Sequence, residues 1–406
     1  MLREKLKNKN GITLVALVVT IIILLILAGI TISSLTNTGL FAKAQEAKEK
    51  TQNAEENQAK ILNEYEDELN KYISGDIKTP VKKVSDNIGN VLSTTDNTEL
   101  EDAYGNKIVV PAGFKIVSNS DTNNVTTVDK GIVIEDATVD SEGKATATSG
   151  SQFVWIPVGK IYTDVAKTDA NAKTIELGRY SFDYSTGLES AYSGSYVEED
   201  ANDESTLTNT ENKAIAKNIT NFKNSVTSNG GYYIGRYEAR TTTERSSEDD
   251  TLTQITEKGT NPVYNYVTQI QAAEQAQNMY NSSKFTSDLM NSYAWDTATL
   301  FLQTCGEEKY SIKTSVNNSL ASKGTNSSDY TGTRDTVCNV YDMASNVYEW
   351  TTETSDSSHG PCVTRGGDYS DYGSSDFCTS GSYSYSTSIS RAYDGFRPLL
   401  FVGLNS

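Results

Sequence analysis

The stretch Asp368–Asp394 holds the side chains of this chain that are best suited to chemistry at a surface. Of its 27 residues, 20 are Tyr, Ser, Asp or Gly. Tyr gives a large amphipathic contact with only two side-chain torsions, and Ser, Gly and Asp give small, adaptable polar contacts. This alphabet is poor material for a hydrophobic core or for acid–base catalysis. The stretch therefore predicts recognition of another molecule.

Aromatic and small polar residues of this stretch are the candidate ligand contacts. Ser and Tyr alternate in Ser382–Ser386, so Tyr383 and Tyr385 would share one face of a strand. The candidate contacts are Tyr369, Asp371, Tyr372, Ser374, Asp376, Phe377, Tyr383, Tyr385, Ser388 and Tyr393. The alternative is that neighbouring loops bury some of these tyrosines. A protein surface suits Tyr hot spots, whereas a glycan would use aromatic faces with Asp or Asn, and the ligand stays open between the two.

The other reactive side chains do not form a recognisable catalytic or metal site. His359 is the single histidine, and no CxxC, GxSxG, P-loop or HExxH motif occurs. Cys305, Cys338, Cys362 and Cys378 are widely spaced, and they could form two disulfides in any of three connectivities or stay free. The sequence predicts no catalytic residue, no cofactor and no metal site.

Charge and composition argue against two further classes of ligand, nucleic acids and metal ions. The net charge is −18 and the isoelectric point about 4.6, which argues against nucleic acid because phosphate binding needs clustered Lys and Arg. Residues 160–212 are acidic and rich in turn residues, but they lack EF-hand spacing. They indicate a surface insertion rather than an ion site.

Short apolar runs and longer helical patterns must position the candidate contacts. Runs with β-branched residues predict strands at Ile108–Val110, Phe114–Val117, Gly131–Ile134 and Phe153–Pro157. Helical patterns predict helices at Ala214–Ser228, at Thr268–Asn281 and around Ser292–Gln303.

A second group of residues frames the Tyr-rich stretch and is predicted to act as scaffold. It comprises Trp350, Arg365, Gly366, Gly367, Gly395, Phe396 and Arg397. The aromatic members are suited to burial, and the Gly pair permits close or left-handed backbone. The two Arg residues could hold carboxylates such as Glu349 or Glu238.

These residues stand in an order that resembles a known family. Phe153–Pro157 (FVWIP), Tyr232–Glu238 (YYIGRYE), Tyr341–Thr351 (YDMASNVYEWT), the RGG at 365–367 and the GFR at 395–397 look like the formylglycine-generating-enzyme family, also called sulfatase-modifying factors. The resemblance covers about residues 150–401. It implies a variant of the C-type-lectin fold with irregular loops.

Two positions of the stretch speak against the family's chemistry. In catalytic members, two cysteines follow the glycine pair by about four and nine residues and supply copper-binding, oxidising thiols. Counting from Gly367, those positions hold Asp371 and Asp376 here. Carboxylates do not replace the soft thiolates that copper(I) prefers. We therefore expect that the chain is not an enzyme.

The same lectin-type scaffold occurs in variable proteins of diversity-generating retroelements, which this C-terminus also resembles. Adenine-directed mutagenesis of Asn codons yields Tyr, Ser, Asp and Gly, but never Lys, Glu, Gln, Met or Trp, whose codons end in a purine. From Thr354 to Ser406 none of those five residue types occurs. The resemblance implies a diversified recognition loop, and compositional bias of a Ser/Tyr-rich loop is the alternative.

The N-terminus predicts a membrane anchor. Residues 1–11 carry one Arg and three Lys against one Glu, and Ile12–Ser33 is free of charge. Such a run is long enough to span a bilayer, with the basic end in the cytoplasm and the rest outside. A cleaved secretory signal is the alternative.

The junction Gly11–Ile12 resembles a type IV prepilin. In that family a peptidase cuts after the Gly, so Gly11 and Ile12 are candidate processing residues. Pilins carry a Glu at the fifth mature position, where Ala16 stands here. The apolar positions of residues 34–75 share one helical stripe, which predicts a stalk.

The expected organisation combines these parts. It has a leader at 1–11, a transmembrane helix at 12–33, a helical stalk at 34–75, a linker at 76–100, a small β-rich segment at 101–149 and a lectin-fold recognition domain at 150–406. The fold class is α+β, and the protein is expected at the cell membrane, in a single pass with the C-terminal domain outside. Its expected ligand is a cell-surface, phage or host protein or glycan, with other pilin-like subunits as further partners. The rival functions are a formylglycine-generating oxidase and a structural pilin subunit.

Overall fold

A computed structural model describes most of the chain. It covers residues 14–37, scattered positions between 43 and 62, then 81–117, 125–139, 141, 145–198, 219–248, 255–256, 261–313, 335–355, 360–368 and 382–403. The chain divides into two compact units, Met1–Pro80 and Val81–Ser406.

The first unit contains helix α1, Leu14–Asn37. Among the described residues, no helix is both long and apolar enough to cross a membrane. The expected transmembrane helix and single-pass membrane location are therefore wrong. The leader with Gly11 and Ile12, and most of the stalk, lie outside the described residues.

Strands dominate the second unit. In chain order they are β1 Lys82–Lys83, β2 Thr98–Glu101, β3 Lys107–Val110, β4 Phe114–Ile116, β5 Val133–Val139, β6 Ala145–Pro157, β7 Gly159–Tyr162, β8 Ala172–Ile175, β9 Tyr180–Phe182, β10 Glu189–Ala191, β11 Val197–Glu198, β12 Gly231–Gly235, β13 Arg240–Thr241, β14 Ile255–Thr256, β15 Phe285–Leu289, β16 Thr336–Val337, β17 Val340–Tyr341, β18 Tyr348–Thr354, β19 Cys362–Arg365, β20 Ser382–Tyr385, β21 Asp394–Phe396 and β22 Pro398–Val402.

Three α-helices of the second unit fall within the part of the chain that the structure describes. They are α2 Ile219–Asn229, α3 Gln269–Gln277 and α4 Ser292–Cys305, which confirms the three helices predicted from the sequence. A capping box between Thr268 and Gln271 starts α3, and the Asn291 side chain caps α4.

The expected α+β class, led by a transmembrane and stalk helix, is wrong. The second unit is mostly strand, because its apolar runs are short, rich in β-branched and aromatic residues and separated by turn residues, a pattern that pairs into sheets. The four predicted strands are confirmed as β3, β4, β5 and part of the longer β6.

The larger sheet has six strands in the order β15-β22-β12-β6-β5-β4, all antiparallel. Its central strands bury large side chains, among them Trp155 and Tyr233, whose rings meet edge to face at 4.9 Å. Helix α2 packs on this sheet through Phe222, whose ring contacts that of Phe401 at 5.5 Å. This sheet and α4 enclose the main hydrophobic core.

The smaller sheet carries the frame of the Tyr-rich stretch. Its order is β11-β18-β19-β20, and β21 pairs with β18 in parallel. A second apolar cluster lies against it and includes Trp350, Phe396 and Tyr264. Both ends of the stretch Asp368–Asp394 thus leave from strands of one sheet.

The described residues between 81 and 149 fold together with the rest of the second unit. Val84 and Leu100, inside the stretch assigned to a linker, are fully buried in the main core. β4 and β5, inside the stretch assigned to a small separate segment, are strands of the six-stranded sheet.

Candidate ligand-binding surface

Arg365 is the last residue of β19, the strand that precedes the Tyr-rich stretch. Its Nε and Nη2 donate to Glu353 at 2.8 and 3.1 Å, and its Nη1 lies 3.4 Å from Asp296. Glu353 stands on β18, next to β19, and also accepts from Arg179. All but Arg179 are buried, so the guanidinium is fixed by two carboxylates before the stretch begins.

Arg397 fixes the chain just after the stretch. It donates to Glu349 at 2.6 and 3.1 Å and to the carbonyl oxygens of Gly235 and Tyr341 at 2.8 and 2.9 Å. Of the two carboxylates considered as its partners from the sequence, Glu349 is the one it holds. Glu238 instead accepts from Asn346 and from the backbone N–H of Val347.

The glycines of the frame stand where a side chain would not fit. Gly366 has φ +82°, and a Cβ there would lie 3.1 Å from the carbonyl oxygen of Met343. A Cβ on Gly395 would lie 2.7 Å from the Val347 side chain. Gly367 is buried beside them. The backbone of the frame is therefore packed too closely for larger residues.

Two aromatic residues anchor the frame to the second apolar cluster. The buried Trp350 donates its indole N–H to the carbonyl oxygen of Val267 at 2.7 Å. Phe396 is fully buried, and its ring meets Tyr264 edge to face at 5.5 Å. The ring of Tyr385 meets that of Trp350 at 6.1 Å, which brings one candidate contact down onto the frame.

Only four of the ten candidate contacts belong to the described residues. Tyr383 and Tyr385 lie on β20, paired with Thr364 and Cys362 of β19. Ser388 is exposed, and Tyr393 is half-buried, with its ring 6.3 Å from that of Tyr348. The other six lie outside the described residues: Tyr369, Asp371, Tyr372, Ser374, Asp376 and Phe377.

Arg391 holds the C-terminal end of the stretch in place, and it is not among the residues predicted from the sequence. Its Nε and Nη2 both lie 2.7 Å from the carboxylate of Asp394. Its guanidinium also stacks on the rings of Tyr385 and Tyr393, at 4.1 and 4.5 Å. The i,i+3 spacing of Arg391 and Asp394 was the available signal.

Burial shifts the pKa of several groups around the frame. It raises the pKa of Asp296 to about 6, against the opposing effect of Arg365. It likewise raises the pKa of Glu349 to about 7, opposed by Arg397, and of Glu198 to about 7, opposed by hydrogen bonds from Thr352 and Ser292.

The remaining reactive groups form no metal-binding cluster in the described ranges. Cys305 and Cys338 are free thiols, and burial raises the pKa of both to about 12. A thiol with such a pKa stays protonated and is a poor nucleophile at neutral pH. Cys378 and His359 lie outside the described residues.

Comparison with known proteins does not assign a family. No protein-family model matches the chain, and no curated protein matches it. A solved structure with some similarity is Treponema denticola variable protein 1, which is 14% identical and has a TM-score of 0.32 over 63% of this chain and 97% of that chain. A likeness this low does not establish a shared fold or a function.

Proposed function

We propose that this chain is a binding protein whose stretch Asp368–Asp394 contacts a protein ligand on another surface. The observation that carries the proposal is the pair of rigid ends. Arg365 fixes the entry through Glu353 and Asp296, and Arg397 fixes the exit through Glu349. Contact residues held on a rigid frame lose less conformational freedom when they bind.

The chemistry of the stretch supports a protein ligand. Tyr and Ser dominate it, a combination typical of binding loops that use rigid aromatic anchors and adaptable hydroxyl groups. Tyr is also enriched among residues that contribute most to protein–protein affinity. The described end of the stretch offers the exposed Ser388 for such contacts.

The order of motifs supports a lectin-type scaffold of the formylglycine-generating kind. Trp155 lies on β6, Trp350 on β18 and Arg365 on β19, and Arg397 directly precedes β22. We propose a binding role and no catalysis for this scaffold, because Asp371 and Asp376 stand where the family's catalytic members have cysteines.

We further propose that the stretch is diversified by a retroelement. The support is the absence of Lys, Glu, Gln, Met and Trp from Thr354 to Ser406. Sequencing of the neighbouring DNA tests this. A reverse-transcriptase gene with a near-identical template repeat that differs at adenines is expected, and a neighbourhood without such a repeat contradicts diversification while leaving the binding role open.

A display library tests the binding role. Six positions of the stretch are varied among Tyr, Ser, Asp and Gly: Asp371, Tyr372, Ser374, Asp376, Tyr383 and Ser388. The library is selected against two purified folded proteins, hen lysozyme and streptavidin. We expect distinct binders to each target, with melting temperatures close to that of the original chain.

The matched control varies six exposed positions away from the stretch: Lys82, Asp86, Val165, Asp169, Lys173 and Thr174. This control library is expected to give no binders above background. If both libraries perform alike, or if most members of the first library fail to fold, the stretch is not an adaptable contact surface and the proposal is wrong.

A further inference from the structure

A second Tyr-rich surface lies in the acidic insertion. It is a cleft of about 600 Å³ lined chiefly by Tyr180, Tyr184, Tyr192, Tyr196, Ser190 and Arg365. Small-molecule sites typically enclose 300–1,000 Å³. We call it the tyrosine cleft.

The walls of the tyrosine cleft are built by local hydrogen bonds. Strands β9 and β10 pair in register from Tyr180 with Ala191 to Phe182 with Glu189. The backbone N–H of Ser193 donates to Ser181 Oγ at 3.0 Å, and that of Tyr196 donates to the Tyr192 hydroxyl at 3.1 Å. The lining residues are thus held in place without a ligand.

The cleft is also tied to the frame beneath it. The backbone N–H of Tyr180 donates to Asp296 at 2.9 Å, and that of Gly178 donates to Thr297 at 3.1 Å, both on α4. The Arg179 guanidinium stacks 3.8 Å from the ring centre of Tyr192 and pairs with Glu353. A surface fixed in this way is preorganised for binding.

Charges at the floor of the cleft cancel. Arg179 and Arg365 stand against Glu353 and Asp296, with Arg365 in contact with both carboxylates. The one carboxylate of the lining, Asp183, accepts hydrogen bonds from Ser185 and Thr186 of its own turn. The paired charges at the floor therefore leave Asp183 as the one unbalanced charge among the described lining residues, so the cleft does not attract an anion.

What the lining offers instead is hydroxyl groups and aromatic faces. Burial raises the pKa of Tyr180 and Tyr192, so both phenols stay protonated at neutral pH. The Tyr180 hydroxyl donates to the Glu176 carbonyl oxygen at 2.8 Å and can still accept, whereas the Tyr192 hydroxyl accepts from the Tyr196 N–H and can still donate. Ser181, Ser190 and Ser193 add aliphatic hydroxyls that donate or accept. Tyr184 is 62% exposed at the rim.

We propose that the tyrosine cleft binds a neutral saccharide. A sugar ring presents hydroxyl groups at its edge and C–H groups on its face, which match the hydroxyls and aromatic faces of the lining. The balanced charges at the floor favour an uncharged ligand. The lining differs from the contacts proposed for the C-terminal stretch: the four of those ten residues that the structure describes, Tyr383, Tyr385, Ser388 and Tyr393, do not line the cleft.

Saturation-transfer NMR on the full chain tests the proposal. The probes are the neutral disaccharides cellobiose, lactose, maltose and chitobiose, with sialyllactose as the anionic comparison and a neutral Ser/Gly/Tyr tetrapeptide as the peptide comparison. We expect transfer to ring C–H protons of at least one neutral disaccharide, at millimolar affinity, and weaker transfer to sialyllactose.

Variants separate the cleft from other surfaces. Tyr184→Ala should reduce the transfer at least fivefold, and Tyr192→Phe, which keeps the ring on Arg179 but removes the hydroxyl bonded to Tyr196, should reduce it less. The matched control is Leu188→Ala, because Leu188 is 66% exposed in the same insertion and does not line the cleft. It should leave the transfer unchanged.

Several outcomes would overturn the proposal. No transfer to any neutral disaccharide would do so, as would equal transfer in the wild type and Tyr184→Ala with an unchanged circular dichroism spectrum. Stronger transfer to sialyllactose or to the tetrapeptide would assign the cleft to a different ligand class. None of these outcomes bears on the library test of the C-terminal stretch, so the two proposals fail independently.

Discussion

Arg397 and Glu349 form a two-point ion pair in which both side chains are completely buried, with N···O distances of 2.6 and 3.1 Å. Arg397 directly precedes β22 of the six-stranded sheet, and Glu349 lies on β18 of the smaller sheet. The pair therefore joins the two sheets at the point where the Tyr-rich stretch ends.

Removing one partner of this pair should destabilise the fold strongly. Arg397→Met leaves the Glu349 carboxylate buried without its counter-charge, which typically costs about 3–5 kcal/mol. Urea denaturation followed by Trp fluorescence measures the free energy of unfolding. Lys160→Met is the control, because Lys160 and Asp169 form an exposed pair, of a kind that contributes little to stability. Equal losses in the two variants would contradict a structural role for the buried pair.

Gly366 should tolerate alanine less well than another glycine of similar backbone geometry. Gly366 and Gly89 have φ of +82° and +77°, but a Cβ meets Met343 at 3.1 Å in the first case and nothing within 4 Å in the second. Both variants pay about 1–2 kcal/mol for a left-handed Ala, and Gly366→Ala should lose about 1–3 kcal/mol more through overpacking. The comparison of unfolding free energies isolates the contact, and a smaller loss at Gly366 than at Gly89 would show that the frame is loosely packed there.

Glu198 should make stability depend on pH. Its carboxyl group accepts from the Ser292 backbone and the Thr352 hydroxyl, and burial raises its pKa from 4.5 to about 7. Its contribution to stability is therefore complete below about pH 4.5 and is lost as the pH rises through about 7, since the folded state must then hold a buried carboxylate.

Glu198→Gln tests this dependence, because Gln imitates the protonated acid: its amide oxygen can accept from the Ser292 N–H, and its NH2 group can donate to the Thr352 hydroxyl oxygen. We expect the variant to melt roughly 5 °C above the wild type at pH 8 and at the same temperature near pH 4.5. Differential scanning calorimetry at the two pH values measures the shift. A stabilisation that is equal at both would show that Glu198 does not titrate in this range.

The stabilising effect of Arg391 should depend on its planar guanidinium group as well as on its charge. Its Nε and Nη2 atoms each lie 2.7 Å from a carboxylate oxygen of Asp394, and a Lys side chain can make only one such contact. We expect Arg391→Lys to lower the free energy of unfolding by about 1 kcal/mol and Arg391→Ala by about 2–3 kcal/mol. Chemical denaturation ranks the two, and equal losses would mean that the paired geometry contributes nothing.

The local elements of the second unit could be predicted from the sequence, whereas the pairing between distant residues could not. The runs that form β3 and β6 are predicted by their β-branched content, and α4 is predicted by its helical pattern. The partners of Arg365 depend on which elements are neighbours in the fold. Glu353 lies on β18, the strand next to the β19 of Arg365, and Asp296 lies on α4, which is far away in sequence.

The two largest departures from the sequence expectations have physical reasons. The N-terminal run was interpreted from its length, its lack of charge and the basic residues before it, and no described helix meets both the length and the apolarity that a membrane span needs. The tyrosine cleft was not foreseen because its residues are spread over β9, β10 and the turn to Tyr196, and only the hairpin pairing brings them to one surface.

The attachment of β20 has a consequence for how this protein can change over generations. The strand is joined to β19 through backbone pairing from Cys362 with Tyr385 to Arg365 with Ser382. Hydrogen bonds of this kind involve main-chain atoms and are indifferent to the side chain, apart from proline. Successive side chains point to opposite faces, and one of them, Tyr385, rests on Trp350. A change of side chain at Ser384, on the face opposite Tyr385, would therefore leave the main-chain bonds between β19 and β20 in place, and descendants of this protein could differ there without losing the sheet.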